Sequence, residues 1–404
     1  MTYPEEALAH GVACHRAGQL AEARSVYEAL ISHSLDTRVN GAALAHLATI
    51  HLRQNRVQEA QMAASQALER NDDNGTALWA WVQCERRLGR PDSSLNTLNR
   101  RSTHTLPPQL LHELALSYEA MGEHRKAFLA FKEVKRRLSF ADLDVDRSLL
   151  LRYLENTSRS PAIEARQCTE GSPTASGQNP LFIVGFNESG ITELGQMLGQ
   201  HPGIRLASEV PAIDAARKKL NGKDPSGLNN VTNTEISDAR KAYFQTINHH
   251  APGDGIIVDA LPLNLLASKL IHTLFPESEI IHCVRNPMDA VIETFFKPYA
   301  LNNVTCHFDR LERTALTYAG VLTLAQQLVT EHEVPMATVH YEDLMTHPGT
   351  YVEAIASSVG IDWTGQHRFA PRSTVPRWTN YRAELSRWLP TLQPLSETLG
   401  YPAK

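Results

Sequence analysis

The stretch that most constrains this chain is residues 179–194, where an apolar run, a tight loop and a helix-like pattern follow one another. Residues 181–184 are all apolar and have the length of a buried strand. Gly185 and Gly190 enclose four residues, and apolar residues return at helical spacing after Thr192. The stretch therefore predicts a strand, a loop and a helix, which is the frame of a phosphate-binding P-loop.

The loop between the two glycines carries one feature that favours an anion and one that opposes it. Backbone N–H groups at a helix N-terminus carry partial positive charge, which suits a phosphate. Ile191 stands where a P-loop usually has lysine, and Glu188 places a carboxylate in the middle of the predicted cradle. Because a carboxylate at a helix N-terminus is itself favourable, one interpretation is that Glu188 occupies the cradle in place of a phosphate.

Composition sets limits on the class of protein. The chain has 404 residues, 42% of them apolar, and a net charge of −5 with scattered basic residues, so we expect two domains and no electrostatic nucleic-acid binding. No apolar run is long enough to span a bilayer, and the first residues are acidic, so the sequence predicts a cytoplasmic protein without membrane contact. The five cysteines form no C-x-x-C pair and the histidines no H-E-x-x-H motif. We therefore expect free thiols and no metal site.

Residues 1–157 repeat themselves. Four turn residues recur at spacings of 37, 34 and 33: Gly18, Asn55, Gly89 and Gly122. Each is followed five residues later by a small residue, namely Ala23, Ala60, Ser94 and Ala127, and four residues further by Tyr27, Ala64, Leu98 and Phe131. A period near 34 with small residues at a helix crossing is typical of tetratricopeptide repeats. The pattern predicts four such repeats and a closing helix at 146–154; an irregular helical bundle is the alternative.

A helical array of this kind suggests a role in binding. Stacked helix pairs present a concave face that usually holds a peptide or protein segment, so we expect such a partner here. The third repeat is locally basic, through Arg86, Arg87, Arg90, Arg100 and Arg101, although charges on a helix are more often a solvated face. Residues 158–179 gather Ser, Pro, Gly and Thr and are predicted to be a linker between domain 1–157 and domain 180–404.

From residue 180 onward, strand and helix patterns alternate. Further buried strands are predicted at 256–259, 279–284 and 336–341, and helices at 263–274, 287–296, 311–330 and 351–359. Alternating units of this length predict a doubly wound parallel sheet with helices on both faces. The segments 185–192, 259–264 and 285–289 each follow a strand, so we expect them to face one crevice at the carboxyl ends of the strands.

These segments resemble a bacterial sulfotransferase with an N-terminal tetratricopeptide array. The matching motifs, in chain order, are residues 182–185 with Ser189, Gly190 and Thr192; His201-Pro202 with Glu209-Val210-Pro211; Asp259 with Pro262-Leu263-Asn264; Phe275-Pro276; residues 280–287 with Asp289; and residues 341–344. The resemblance implies a P-loop-like α/β sulfotransferase domain over 180–404. It also implies transfer of a sulfuryl group from 3′-phosphoadenosine 5′-phosphosulfate to a hydroxyl or amine, without a metal.

The resemblance also implies roles for particular residues. The loop, with Gly185, Ser189, Gly190 and Thr192, would hold the 5′ end of the donor. Arg285 would hold the 3′-phosphate, and Glu209 would be the base that takes the acceptor's proton. Two structural alternatives stay open. Arg285 is also placed to form an ion pair with Asp289, and Glu209 is also consistent with an ordinary surface carboxylate.

The family pattern fails at the positions that bind the donor. The family usually has Arg, Thr, Lys and Ser at the positions that this chain fills with Glu188, Ile191, Ala260 and Glu293, and the C-terminal segment 373–381 lacks the usual glycine. Cations from elsewhere in the chain would have to compensate, the candidates being Lys297, Arg372 and Arg377. A degenerate donor site leaves three hypotheses. The protein is an active sulfotransferase, a catalytically inactive fold that acts as an interaction or regulatory module through its array, or an enzyme for a donor of smaller negative charge.

Overall fold

A computed structural model describes residues 4–101, 103–139, 145–162, 179–363, 369–371 and 374–401. The chain divides into two compact units, Met1–Ala141 and Asp142–Lys404. Within the described ranges, every helix is too short or too polar to cross a membrane.

The first unit consists of helices that follow one another in pairs. They are α1 (Pro4–Arg16), α2 (Leu20–His33), α3 (Thr37–Arg53), α4 (Val57–Arg70), α5 (Gly75–Arg87), α6 (Pro91–Asn99), α7 (Pro108–Ala120) and α8 (His124–Leu138). The four turn residues found in the sequence lie between the two helices of each pair, and all have left-handed backbones with φ between 58° and 80°. Glycine and asparagine adopt this conformation at low cost, which is why the turns recur at these residue types.

The small residues of the repeat lie at the helix crossings. Ala23, Ala60, Ser94 and Ala127 are completely buried, and so are the residues one turn later, Tyr27, Ala64, Leu98 and Phe131. A small side chain lets the two backbones of a pair approach, and the following larger side chain fills the adjacent space. The predicted array of helix pairs is therefore confirmed.

Helix α9 (Leu149–Ser158) packs on the second unit, although the sequence pattern grouped it with the array. The hydroxyl of Tyr153 donates to Asp224 Oδ2 at 2.9 Å, and the hydroxyl of Ser158 donates to Gln327 at 2.8 Å. The residues that α9 contacts lie far along the chain. Its position next to the array in the sequence therefore did not indicate which unit it packs on. Most of the predicted linker, residues 163–178, lies outside the described residues.

The second unit contains a five-stranded parallel sheet in the described residues. Its strands are β1 (Leu181–Gly185), β2 (Ile204–Ser208), β3 (Ile256–Ala260), β4 (Ile280–Val284) and β5 (Ala337–His340), in the order β2-β3-β1-β4-β5. Phe182 aligns with Asp259 on one side and with Ile280 on the other. The α/β sheet is confirmed, with β2 as one strand more than the sequence predicted.

Helices cover the sheet. They are α10 (Ile191–Leu198), α11 (Ala212–Arg217), α12 (Asn233–His250), α13 (Ser268–Leu274), α14 (Pro287–Phe296), α15 (Leu311–Thr330), α16 (Tyr341–Thr346), α17 (Pro348–Ser358), α18 (Arg382–Leu385) and α19 (Leu389–Thr398). Every residue of β1 and β4 is buried, as expected for central parallel strands. The chain moves from β1 to β2 and β3 on one side and then crosses to β4 on the other. The topological switch point therefore lies at the carboxyl end of β1.

Candidate active site

The loop after β1 has a glycine at each end, at positions where there is no room for a side chain. A Cβ added at Gly185 would lie 2.4 Å from the backbone oxygen of Cys283 in β4. At Gly190, φ is +96° and an added Cβ would lie 2.7 Å from the ring of Tyr341. The predicted loop is thus confirmed in position, and its conformation depends on close backbone approach at both ends.

The amide groups of this loop have no hydrogen-bond acceptor among the described residues. No described residue accepts a hydrogen bond from the N–H groups of residues 187–190, which precede the first turn of α10. Ser189 is buried in the loop, while Thr192 lies exposed in the first turn of the helix. Backbone donors with no acceptor, at a helix N-terminus and at the switch point of the sheet, form a site that fits an anion.

Glu188 does not occupy this cradle. Its carboxylate accepts a hydrogen bond of 2.6 Å from the hydroxyl of Tyr299 and one of 3.2 Å from the ammonium of Lys297. Burial, with the nearby Glu188 carboxylate, raises the pKa of Tyr299, so its hydroxyl stays a donor at neutral pH. The interpretation that Glu188 replaces a bound phosphate is therefore wrong, because other side chains satisfy its charge.

Arg285 shares the carboxylate of Glu293 with a second arginine, Arg377. Its guanidinium Nη2 lies 3.1 Å from Glu293 Oε1, and Arg377 Nη1 lies 2.6 Å from Glu293 Oε2. Arg285 also donates to the backbone oxygen of Glu188 at 3.0 Å, and its guanidinium lies 4.4 Å from the ring centre of Tyr341. One carboxylate thus offsets part of the charge of two arginines beside the anion cradle.

The alternative ion pair between Arg285 and Asp289 does not form. Asp289 instead accepts a hydrogen bond of 2.8 Å from the backbone N–H of Trp378. Burial raises the pKa of this carboxyl to about 6. Asp289 therefore fastens the C-terminal segment to α14, and this contact brings Arg377 to Glu293.

A small cavity of about 140 Å³ lies beside Arg285, lined also by Tyr341, Glu342, Trp378 and Tyr401. The carboxylate of Glu342 accepts 3.1 Å and 2.6 Å hydrogen bonds from the N–H of Asn286 and the hydroxyl of Tyr401. The sequence motif at 341–344 placed Glu342 near the crevice, but nothing in the sequence indicated Tyr401. The cavity extends the crevice from the end of β4 to the end of β5.

Glu209 and Ala260 lie at the other side of the crevice. Glu209 directly follows β2, is exposed, and has a left-handed backbone with φ of 57°. Its N–H donates to the backbone oxygen of Ala260 at 3.1 Å. Left-handed residues other than glycine are uncommon and are enriched at functional sites. However, β3 separates β2 from β1, so Glu209 lies two strands away from the loop.

Asp259 is completely buried at the end of β3. Its two carboxylate oxygens accept hydrogen bonds of 3.1 Å from Tyr243 and 3.2 Å from Asn264. Burial raises its pKa to about 7, whereas the unfolded carboxyl has an ordinary value of about 3.9. The folded protein therefore binds more protons than the unfolded chain between these two values.

From this difference we expect the contribution of Asp259 to the free energy of unfolding to fall as pH rises from about 4 to about 7, by up to about 1.4 kcal/mol per pH unit. Asp259→Asn should remove this contribution and so change the measured slope, to which Asp289, with a raised pKa, and His282, with a pKa lowered to about 4 by burial, contribute in every variant. Urea unfolding at several pH values measures the effect. The exposed Asp254 provides the control, since Asp254→Asn should leave the slope unchanged. Equal slopes in all three proteins would mean that Asp259 is ionised in the folded state.

The described cysteines Cys14, Cys84, Cys283 and Cys306 are free and buried, as predicted. In the described residues, one group of side chains has metal-ligand types in close proximity, namely His10, Cys14 and Glu22 in the first unit. This group belongs to the first unit, whereas the crevice lies in the second.

Comparison with known proteins agrees with this geometry. The sulfotransferase family model matches residues 180–365. Protein-tyrosine sulfotransferase 2 of Gallus gallus is 25% identical over 194 residues, covering 46% of this chain and 52% of that protein. The nodulation protein NoeE of Sinorhizobium fredii is 25% identical over 217 residues, covering 46% of this chain and 50% of that protein. The chain thus spans about half the length of these curated relatives.

Among solved structures, a sulfotransferase from Alicyclobacillus acidocaldarius aligns with a TM-score of 0.37 and 16% identity, covering 56% of this chain and 97% of that chain. A TM-score this low does not establish a common fold. The match to the family, by contrast, covers the loop, the end of β4 and the segment after β5, which are the elements that form the crevice. Residues 180–365, which include these elements, are therefore similar to the sulfotransferase family.

Proposed function

We propose that the second unit transfers a sulfuryl group from 3′-phosphoadenosine 5′-phosphosulfate to a hydroxyl or amine acceptor. The observation that carries this proposal is the row of unpaired amides in residues 187–190 at the carboxyl end of β1. These donors fit the 5′ end of such a donor molecule, whose charge they would stabilise during transfer. Gly185 and Gly190 would allow the close approach, and Ser189 and Thr192 would add hydroxyl groups.

Glu209 is the residue that we propose as the base. Its strained backbone at the crevice edge supports a functional role, because such strain is seldom kept without one. We expect Glu209→Gln to lower turnover by about a hundredfold or more, as loss of a general base commonly does. Initial rates with an accepted hydroxyl or amine substrate measure this effect. Glu277→Gln, at another exposed carboxylate, is the control, and full turnover in Glu209→Gln would exclude the role.

The second candidate is a catalytically inactive module that binds a partner. It is favoured by the pairing of charges in the crevice, where Glu293 engages Arg285 and Arg377 while Glu188 engages Lys297. Arg285 is the residue proposed for the 3′-phosphate, so its engagement is expected to weaken binding of a doubly phosphorylated nucleotide. In this case the tetratricopeptide-like array of the first unit would supply the function by binding a polypeptide.

Calorimetric titration with 3′,5′-adenosine bisphosphate, the product of the proposed reaction, separates the two candidates. Micromolar or tighter binding that is weakened by Arg285→Ala supports the enzyme. Absence of binding by a protein that unfolds cooperatively favours the inactive module. Because Arg285 pairs with Glu293, Arg285→Lys is the companion variant that retains the charge while losing the planar guanidinium group.

A further inference from the structure

A groove of about 870 Å³ lies in the first unit. Its lining comes from the first helix of each pair, α1, α3, α5 and α7, and from residues directly before α5 and α7. The groove is therefore one continuous surface across successive repeats rather than a cleft within one pair. Such a surface suits an extended segment of chain.

Three arginines line this groove at equivalent positions of the repeat. Arg16, Arg53 and Arg87 each lie two residues before the turn residue of their pair, so they recur at spacings of 37 and 34. Each occupies the last turn of its helix. The corresponding residue of the fourth repeat is Ala120. Repetition of the same position in stacked units places the three charges in a row along one face.

No acidic residue is part of the groove lining in the described part of the chain. None of the residues lining the groove is Asp or Glu, and none of the three arginines has an ion pair or a side-chain hydrogen bond to a described residue. Other basic residues of the third repeat are satisfied locally, since Arg86 pairs with Glu113 and Arg90 with Glu85. The locally basic sequence thus contributes one arginine to the groove and uses others for internal ion pairs.

The helix macrodipole alone does not account for the row. A cation in the last turn of a helix is favourable, but that benefit does not require the side chain to face the groove. Two histidines of the groove, His15 and His46, have pKa values lowered first by burial and then by neighbouring positive groups. They are neutral at pH 7, so the positive charge available to a ligand there comes from the arginines.

The remaining lining favours a polypeptide as the occupant. The exposed Gln109 offers an amide group that can pair with an extended backbone, and Trp79 is half-buried with part of its ring accessible. Asn74 and Gln83 also line the groove, although the Asn74 oxygen accepts from the N–H of Ala77 and the Gln83 amide donates to Glu113. Single-stranded nucleic acid would call for several aromatic platforms along its path, whereas the groove offers one tryptophan and two histidines. Carboxylates on an extended chain match a row of guanidinium groups.

We propose that this groove binds an extended polypeptide segment rich in Asp and Glu, whose carboxylates pair with Arg16, Arg53 and Arg87. The inference rests on the proposed polypeptide-binding role of the array and adds the chemistry of the partner. Binding by such contacts weakens as salt rises, because the three guanidinium groups are exposed.

The test uses the full chain and a short fluorescein-labelled peptide of Glu and Gly residues, with fluorescence anisotropy as the readout. Replacing all three arginines by glutamine should weaken binding by about tenfold or more, since all three charge pairs with the peptide are lost together. The matched control removes three charges from the same unit outside the groove, through Arg100→Gln, Arg125→Gln and Lys132→Gln. It should change affinity by less than about threefold.

Three results would overturn the proposal. They are equal weakening in both triple variants, no binding of the acidic peptide by folded protein, and displacement of the peptide by single-stranded DNA at the same concentration as by unlabelled peptide. A peptide with Gln in place of Glu distinguishes general polypeptide binding by the array from a preference for acidic segments. If it binds as tightly as the acidic peptide, the array still binds polypeptides but the acidic preference is wrong. Circular dichroism verifies that both variants keep the helical content.

Discussion

Glu293→Gln is expected to tighten the binding of 3′,5′-adenosine bisphosphate by roughly a hundredfold, or about 3 kcal/mol. The carboxylate of Glu293 now contacts Arg285 at 3.1 Å and Arg377 at 2.6 Å. Removing its charge breaks the ion pairs that Glu293 makes with Arg285 and Arg377 and deletes one repulsive anion, and each charge-assisted contact to a phosphate contributes about 1.5–3 kcal/mol. Glutamine has the same size as glutamate, so the packing around α14 should be retained.

Isothermal calorimetry at two salt concentrations measures this gain, and Glu353→Gln on α17 is the control for the loss of one exposed carboxylate. The double variant with Arg285→Ala should lose most of the gain. If Glu293→Gln binds the nucleotide no better than the unmodified protein does, the two arginines do not reach it. That result would favour the inactive-module hypothesis, because restoring the local charge would not have restored the site.

Gly185→Ala is expected to lower the free energy of unfolding of the second unit by about 3 kcal/mol. The added methyl group would lie 2.4 Å from the backbone oxygen of Cys283, which belongs to the neighbouring central strand. Backbone atoms in a parallel sheet cannot move aside as a flexible side chain does. The substitution must therefore separate β1 from β4 or displace the loop, and loss of nucleotide binding should accompany the loss of stability.

Urea unfolding monitored by tryptophan fluorescence measures the effect. Gly349→Ala is the matched control, since an added methyl group there has no heavy atom within 4 Å, and it should alter stability by less than about 0.5 kcal/mol. Equal stability of the Gly185 and Gly349 variants would show that the spacing between β1 and β4 is adjustable. The glycine would then be needed for the loop rather than for the sheet.

The sequence predicted the central strands well because burial makes them continuous apolar runs. β1, β3 and β4 were each located from such runs, and β5, at one edge of the sheet, from residues 336–341. β2, at the other edge, was missed because it spans only Ile204–Ser208 and carries Arg205, whose side chain bonds to Asn248. A short edge strand with a charged residue has no periodicity that separates it from a loop.

The candidate site was predicted only where local pattern determines geometry. Gly185 and Gly190 could be identified because a tight strand-to-helix turn requires glycine there. The partners of the two unexpected carboxylates could not, since Glu188 meets Tyr299 more than one hundred residues later and Glu293 meets Arg377 after 84 residues. Lys297 and Arg377 were candidate compensating cations, but their pairing with Glu188 and Glu293 depends on tertiary contacts that no spacing rule encodes.

Tyr341 touches both halves of the crevice. Its ring closes against Gly190 at one end of the loop and also packs with the guanidinium of Arg285. A single aromatic ring therefore acts as a spacer that sets the distance between the loop amides and this cation. Any molecule that contacts both at once must match that fixed span, so the ring selects ligands by length as well as by charge.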